Sequence, residues 1–466
     1  MIFQELNDDG NPIFSCLLVN KFWCKLIVPI LWRNPLKVIK HIKLKGEKKL
    51  NIIFNIIILH LSEESRNFLK SKDINIIPTE QQKLSFNYVS FCKYIGIVQE
   101  ITSSIGLCNI LTSSQRKLLR EELFKLFISE CSNIIFLKTS NIIYSEGYLY
   151  KFYHHPIYDY PGANISLSNL CELKCRSDDS DLIFCGLAKI CRSIEKITMV
   201  LTYGNHYLAE LIKAQNKIKY IKLFNASDKY YKHSRFEDIF QALEKQAYSI
   251  LYLNLNYIDS SFLLSKFVNL ETLILPNSRD FKNLETAIYS NLQILELGRY
   301  TTLNIATNII QNTNGNLWKV KIDVYEFETS RKYIQAIYKC CPNIKYASIY
   351  LNNQNLNDDV VNFLIKCQYL EAVEINIRDK NFDGENFLNL LVRFAPISLY
   401  KITINFNDFT TESLNLFFSN WKNRKTLHIY NKCWSHNYED YNFEEVVLKR
   451  DNDFWDDDYK KRKFYV

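Results

Sequence analysis

A short apolar pattern recurs along most of the chain and constrains the fold more than any other feature. Each copy has an apolar residue, two variable residues, a second apolar residue, one variable residue and a third apolar residue. Clear copies are LETLIL (270–275), LQILEL (292–297), LWKVKI (317–322), LEAVEI (370–375) and LYKITI (399–404). Weaker copies begin at Ile134, Leu170, Ile194, Ile218, Ile250, Ile344 and Arg424. A repeat of this kind indicates an array of small similar units rather than one globular core.

The segments between these copies have the periodicity of amphipathic helices. Examples are LIFCGLAKIC (182–191), FEDIFQALEKQ (236–246), VVNFLIKC (360–367) and NFLNLLVRFA (386–395). From Leu170 onward the copies start 20 to 32 residues apart, close to the roughly 20–29 residues of leucine-rich repeats. We therefore predict an α/β leucine-rich-repeat solenoid over residues 131–440, a horseshoe with a parallel sheet inside and helices outside.

The variable positions of each copy should form a binding surface, because alternate strand residues point to opposite faces of a sheet. Tyr and Lys dominate these positions, and Tyr is favoured in protein-recognition surfaces. Ordinary solvated sheet residues would give the same pattern, so both interpretations stay open for any single position. The candidate substrate-binding residues are Tyr220, Lys222, Tyr252, Asn254, Lys319, Lys321, Tyr346, Tyr350, Lys401, His428 and Tyr430.

The first residues of the chain form a separate, apolar segment. A helical stripe is predicted from Phe14, Leu17, Leu18, Phe22, Leu26 and Ile27, and Pro29 is expected to end that helix. So many large apolar side chains in so short a stretch need either the rest of the chain or a partner to cover them.

This segment resembles an F-box, on the residues IFQEL (2–6), SCLLVNKFWCKLIVP (15–29) and LWRNP (31–35). With LSEESRNFL (61–69), LSFNYVSFCKYI (84–95) and the repeats, the chain resembles a large fungal group of F-box proteins with leucine-rich repeats. The resemblance implies docking on the Skp adaptor of a cullin–RING ubiquitin ligase, while the repeats hold a protein substrate. The implied adaptor-binding residues are Leu6, Leu17, Leu18, Val19, Trp23, Pro29 and Leu31.

The motif of that family normally begins further upstream, with a Leu-Pro pair. Two interpretations stay open: an incomplete gene model, or a copy with a weaker adaptor contact. The expected organisation is an N-terminally truncated F-box over 1–36, a helical linker region over 37–130, the solenoid over 131–440 and a charged tail over 441–466. A repeat scaffold without ligase coupling is the alternative function.

The net charge of +8 raises a third interpretation, a nucleic-acid-binding repeat protein. Acidic residues at hollow-side positions disfavour it, because a polyanion would meet them. They are Glu172, Glu296, Asp323 and Glu374.

No catalytic or cofactor-binding motif was found, so we expect no enzymatic activity, no cofactor and no metal. The closest two glycines, Gly96 and Gly106, are too far apart for a phosphate-binding loop or a G-x-S-x-G elbow. His154 and His155 lie before a proline in a turn-like stretch, which favours a surface loop over a metal site. Asp178, Asp179 and Asp181 precede a predicted helix and should complement its N-terminus.

The cysteine pattern indicates a reducing compartment, so we expect a cytoplasmic or nuclear protein. The hydropathy pattern predicts no membrane-spanning segment, so we expect no membrane partner. The 13 cysteines include no C-x-x-C pair. Early acidic residues argue against a signal peptide. The apolar window 50–61 is shorter than the roughly 20 residues of a membrane span, which predicts a buried helix.

Overall fold

The computed structural model divides into two compact units, unit 1 (residues 1–249) and unit 2 (residues 250–466). The residues that the structure describes are 15–35, 46–75, 84–139, 157–202, 204–225, 236–256, 262–276, 284, 287–324, 328–354, 356–377, 379, 381–404, 409–421, 424–432, 443–447 and 462–464.

Unit 1 begins with a helical block and continues into parallel strands separated by helices. Its helices are α1 (Lys21–Trp32), α2 (Gly46–Ile58), α3 (Glu63–Ser71), α4 (Ile97–Thr102), α5 (Ile105–Ile110), α6 (Ser113–Glu130), α7 (Ala163–Ser166), α8 (Asp181–Ile190), α9 (His206–Lys213) and α10 (Glu237–Lys245). Its strands are β1 (Tyr94–Ile95), β2 (Phe136–Lys138), β3 (Glu172–Arg176), β4 (Lys196–Leu201) and β5 (Tyr220–Asn225). Each strand pairs in parallel with the next one in the sequence.

Unit 2 repeats the same organisation. Its helices are α11 (Leu303–Gln311), α12 (Ser330–Cys340), α13 (Asp358–Lys366), α14 (Gly384–Phe394) and α15 (Thr411–Asn420). Its strands are β6 (Tyr252–Leu255), β7 (Thr272–Leu275), β8 (Ile294–Leu297), β9 (Lys319–Ile322), β10 (Tyr346–Leu351), β11 (Ala372–Ile377), β12 (Lys401–Ile404), β13 (His428–Lys432), β14 (Phe443–Val447) and β15 (Arg462–Phe464). Strands β6 to β13 pair in parallel in sequence order, β14 is antiparallel to β13, and β15 is parallel to β14.

The predicted α/β fold of parallel strands and helices is therefore confirmed within each unit, and it is compatible with a repeat solenoid. Strand β3 shows the cause, since Leu173 and Cys175 are fully buried while Glu172, Lys174 and Arg176 are half-exposed. The apolar positions of the repeat thus fill the core, and the positions between them reach the surface. Almost every strand begins two residues after the predicted start of its copy.

The last copy is the exception. Strand β13 begins at His428, four residues after Arg424, so the predicted start of this repeat is wrong by two residues. The register explains the shift, because Ile429 lies beside Ile402 and thus occupies the core position that Leu427 was expected to fill.

The residue that follows a helix often ties one repeat to the preceding one. After α6 the thiol of Cys131 donates to the Val89 carbonyl (3.2 Å), and after α8 Cys191 donates to the Leu167 carbonyl (3.2 Å). Burial raises the pKa of Cys191 to about 12. These cysteines therefore act as small apolar residues with a weak hydrogen-bond donor, and their thiolate forms are disfavoured.

Helix α1 continues through Pro29, so the expectation that this proline ends the helix is wrong. A proline inside a helix removes one backbone hydrogen bond and costs about 3 kcal/mol. Contacts at the end of α1 oppose that cost, since the Trp32 ring centroid lies 4.8 Å from that of Tyr88. In addition, the Lys93 amide donates to the Arg33 carbonyl (2.9 Å).

The apolar window 50–61 contributes to helix α2, as the hydropathy pattern predicts. Ile53 and Ile57 are buried, while Ile52 is exposed, so the helix presents one apolar face to the protein interior. In the part of the chain that the structure describes, no helix has both the length and the apolar character required to cross a bilayer.

Candidate functional site

The surface of the unit 1 strands carries three cross-strand rows of side chains between the buried apolar positions. We call this surface the open face of unit 1. It consists of Tyr94, Phe136, Lys138, Glu172, Lys174, Arg176, Lys196, Thr198, Val200, Tyr220, Lys222 and Phe224. Thr198 and Val200 in β4 are buried under their neighbours. Two of the sequence-predicted residues, Tyr220 and Lys222, lie on it and are half-exposed.

Basic residues on the open face of unit 1 have acidic neighbours close to its border. The Lys138 ammonium lies 2.7 Å from the Glu100 carboxylate, and Lys138 is only 17% exposed. The Arg176 guanidinium contacts Asp178 through Nε–Oδ1 (2.9 Å) and Nη2–Oδ2 (3.1 Å). These two cations are therefore already neutralised within the protein.

The corresponding surface of unit 2 holds most of the other predicted residues. We call it the open face of unit 2. It consists of Tyr252, Asn254, Thr272, Ile274, Ile294, Glu296, Lys319, Lys321, Tyr346, Ala372, Glu374, Lys401, Thr403, His428 and Tyr430. Asn254 is almost completely buried there, whereas Lys321 is exposed.

Polar groups on the open face of unit 2 are matched to one another. The Lys319 ammonium lies 2.8 Å from Glu296, and the Tyr346 hydroxyl donates to a Glu374 oxygen (2.8 Å). Burial, reinforced by the nearby Glu374 carboxylate, raises the pKa of Tyr346 well above its ordinary value. Tyr346 therefore stays a neutral hydrogen-bond donor.

Tyr350 does not reach the surface, so its expected position on the hollow side is wrong. It is 1% exposed, and its ring packs 6.2 Å from that of Tyr333 on α12. The Tyr350 hydroxyl donates to the Ile322 carbonyl (2.5 Å) and accepts from the Val324 amide (3.1 Å). The backbone pairing of β9 with β10 covers only two residue pairs. Beyond them, the Tyr350 side chain replaces part of the missing ladder.

The N-terminal helix leaves a group of apolar side chains uncovered. Leu18 is 88% exposed and Phe22 is 67% exposed, and Val19 and Leu26 are exposed beside them. Four further residues of the predicted adaptor site are half-buried, namely Leu17, Trp23, Pro29 and Leu31. Leu6 lies outside the described residues.

Each carboxylate of the Asp178–Asp181 segment has a hydrogen-bond partner within the protein. Asp178 pairs with the Arg176 guanidinium, and Asp181 accepts a hydrogen bond from the side-chain amide of Asn205 (3.0 Å). Asp179 is buried and accepts from the Thr139 hydroxyl (2.5 Å) and the Arg176 amide (2.9 Å). Burial raises the pKa of Asp179 to about 6.

These carboxylates do not form a shared metal site. In fact, no group of His, Cys, Asp and Glu among the described residues could hold a metal ion. His154 and His155 lie outside those residues.

Sequence reasoning missed three lysines that share the surface with the predicted residues: Lys138, Lys174 and Lys196. The signal was available, because all three occupy the variable positions of their copies of the repeat. The weaker copies at Ile134, Leu170 and Ile194 predict strands, and their variable positions belong to the same surface as Tyr220 and Lys222.

Comparison with known proteins adds no family to these observations. No model of a known protein family matches the sequence, and no significant relative was found among curated proteins.

Proposed function

We propose that this chain is the substrate-recognition subunit of a Skp–cullin–F-box-type ubiquitin ligase. Its N-terminal helix would dock a Skp-type adaptor, its strand faces would hold a protein target, and other subunits would transfer ubiquitin. The chain itself would have no catalytic role.

The observation that carries the proposal is the apolar group on α1 and the turn before it. Leu18, Val19, Phe22 and Leu26 are all exposed within nine residues of sequence. Contiguous exposed apolar side chains are typical of surfaces that bind another protein. The same helix is anchored at its other end through Ile27, Val28 and Trp32, which are buried. Such a helix is held firmly while its opposite end stays available to a partner.

The adaptor step is tested by co-purification of the full chain with a Skp-type adaptor. Leu18→Asp should abolish capture, because it places a charge at the centre of the proposed contact, and this exposed position is not needed for folding. Ile165→Asp is the matched control, since Ile165 is 68% exposed on α7. Equal recovery of the adaptor by both variants and the wild type would contradict the proposal and favour a repeat scaffold without ligase coupling.

A further inference from the structure

Two half-exposed lysines on the open face of unit 1 share one carboxylate. The ammonium groups of Lys196 and Lys174 lie 3.3 Å and 3.7 Å from the same Glu172 carboxylate. A third lysine, Lys222, has no carboxylate within ion-pair distance among the described residues. Three positive charges thus face one negative charge, and part of the positive charge on this surface is not neutralised.

An aromatic ring lies beneath each of these three ammonium groups. Lys174 lies 5.2 Å from the centroid of Phe136, Lys196 lies 4.9 Å from that of Tyr220, and Lys222 lies 4.9 Å from that of Phe224. Ammonium groups are attracted to ring faces at such distances. The lysines are consequently held along the sheet, which lowers the entropy cost of ordering them when a ligand binds.

The register of the strands fixes the spacing of these charges. Lys174 pairs with Thr198, and Thr198 pairs with Lys222, so the two lysines share one cross-strand row. Two strand spacings separate their backbones by about 10 Å. That distance matches acidic residues three positions apart in a peptide of polyproline II conformation, which rises about 3.1 Å per residue. Because this conformation has three residues per turn, both acidic side chains point the same way.

We infer that the open face of unit 1 binds an Asp/Glu-rich segment of a protein partner. This inference deepens the proposed function, since it names the class of target segment that the strands would hold. Individual carboxylates suit these positions because a lysine ammonium is a compact point charge.

Phosphate ligands fit the same surface less well. Arginine forks are the better match for phosphate, and Arg176 on this face is already paired with Asp178. Glu172 also stands between the lysines, where it would repel a continuous phosphate backbone.

The test measures binding of a fluorescein-labelled peptide with the repeat Glu-Gly-Gly, which places acidic residues three positions apart, to the full chain by fluorescence anisotropy. The wild type should bind this peptide and not its counterpart with Gln in place of Glu. The double variant Lys174→Gln/Lys222→Gln should bind about tenfold more weakly, because it removes two charge contacts. Lys321→Gln in unit 2 is the matched control, and its affinity should stay within about twofold of the wild type.

Three outcomes would overturn the inference. They are equal binding of the Gln peptide, equal weakening by Lys321→Gln, and displacement of the peptide by an oligonucleotide or a phosphopeptide at lower concentration. The same double variant is also assayed for adaptor capture. Loss of peptide binding with adaptor capture intact supports the inference, whereas failure of capture in the wild type contradicts the ligase proposal alone.

Discussion

The open faces of the two units use the same residue types but match their charges differently. In unit 2, the Lys319 ammonium lies 2.8 Å from Glu296, which has no second lysine within ion-pair distance among the described residues, and Glu374 accepts a hydrogen bond from Tyr346. In unit 1, Lys174 and Lys196 share Glu172. A surface whose charges are internally matched gains little from an ionic ligand, because it must first give up its own pairs. The contrast teaches that consecutive units of the same fold can differ in whether the lysines on their open faces have carboxylate partners of their own.

Buried polar groups extend this comparison below the surface. Unit 1 buries the Asp179 carboxyl among neutral donors. Unit 2 buries Asp359, which has the Arg331 guanidinium 2.9 Å away. Burial disfavours the charged form of a carboxyl group, and it is the largest cause of the raised pKa of Asp179. The stability of unit 1 should therefore respond to pH through Asp179.

The largest expected effect concerns Asp179→Asn. Burial raises the pKa of Asp179 from 3.8 to about 6, so the folded state binds more protons than the unfolded state between these values. Protonation of Asp179 therefore contributes its full amount to the free energy of unfolding below about pH 4. This contribution is lost as the pH rises through about 6. The loss is on the order of 3 kcal/mol. Urea denaturation should show that the advantage of the variant over the wild type grows across this range.

An exposed carboxylate provides the control for that experiment. Glu64→Gln changes an exposed side chain on α3, and its free energy of unfolding should stay within about 0.5 kcal/mol of that of the wild type across the same pH range. If Asp179→Asn also ran parallel to the wild type, Asp179 would not titrate in the folded protein as the structure indicates.

The next effect concerns Tyr350→Phe in unit 2. The variant leaves the buried Val324 amide without its acceptor, which should destabilise the unit by about 1–3 kcal/mol. Hydrogen exchange measured by mass spectrometry should increase in peptides that contain residues 317–324. Tyr369→Phe, at a 60% exposed position, should change the exchange of the same peptides very little. Similar exchange in both variants would show that the Tyr350 hydroxyl does not replace the strand ladder.

The smallest effect compares the lysines of the two open faces directly. Lys319→Gln removes a close ion pair and should cost about 0.2–1 kcal/mol. Lys222→Gln removes the contact with the Phe224 ring but no ion pair in the described structure, so its cost should be smaller than that of Lys319→Gln. Denaturation at low and high salt separates the two, since only the Lys319 contribution should fall as salt screens the pair. Equal losses in both variants would contradict the difference in charge matching.

The sequence predicted the parallel strands well because the buried positions recur at similar spacing. Strands β7, β8 and β12 all begin two residues into their predicted copies. Helix α8 begins at Asp181, one residue before its predicted start, because the Ser180 side chain accepts from the Leu182 amide and caps the helix.

The failures arise where tertiary contacts outweigh the local pattern. Alternation placed Tyr350 on the surface, but β9 and β10 diverge after two residue pairs, and the tyrosine fills the space between them. Pro29 is a helix breaker by local rules, yet α1 continues to Trp32 because Tyr88 packs against that end. Neither contact has a signature in the adjacent sequence.

The sequence also did not predict that two lysines would share Glu172. Lys174 and Lys196 are 22 positions apart in the chain and meet the same carboxylate only after β3 and β4 align. Counting charges along the sequence therefore gives the sign of the net charge on the surface, whereas the ion pairs depend on the register of the strands.

The joint between α1 and the first strand has a mechanical consequence. The Arg33 carbonyl accepts a hydrogen bond from the amide of Lys93, the residue immediately before β1. The Trp32 ring packs against Tyr88, a few residues before that strand. A protein bound at Leu18 and Phe22 would therefore keep its orientation relative to β1 as long as these two contacts persist. The angle of such a protein would then depend on these contacts rather than on the length of the chain that connects α1 to β1.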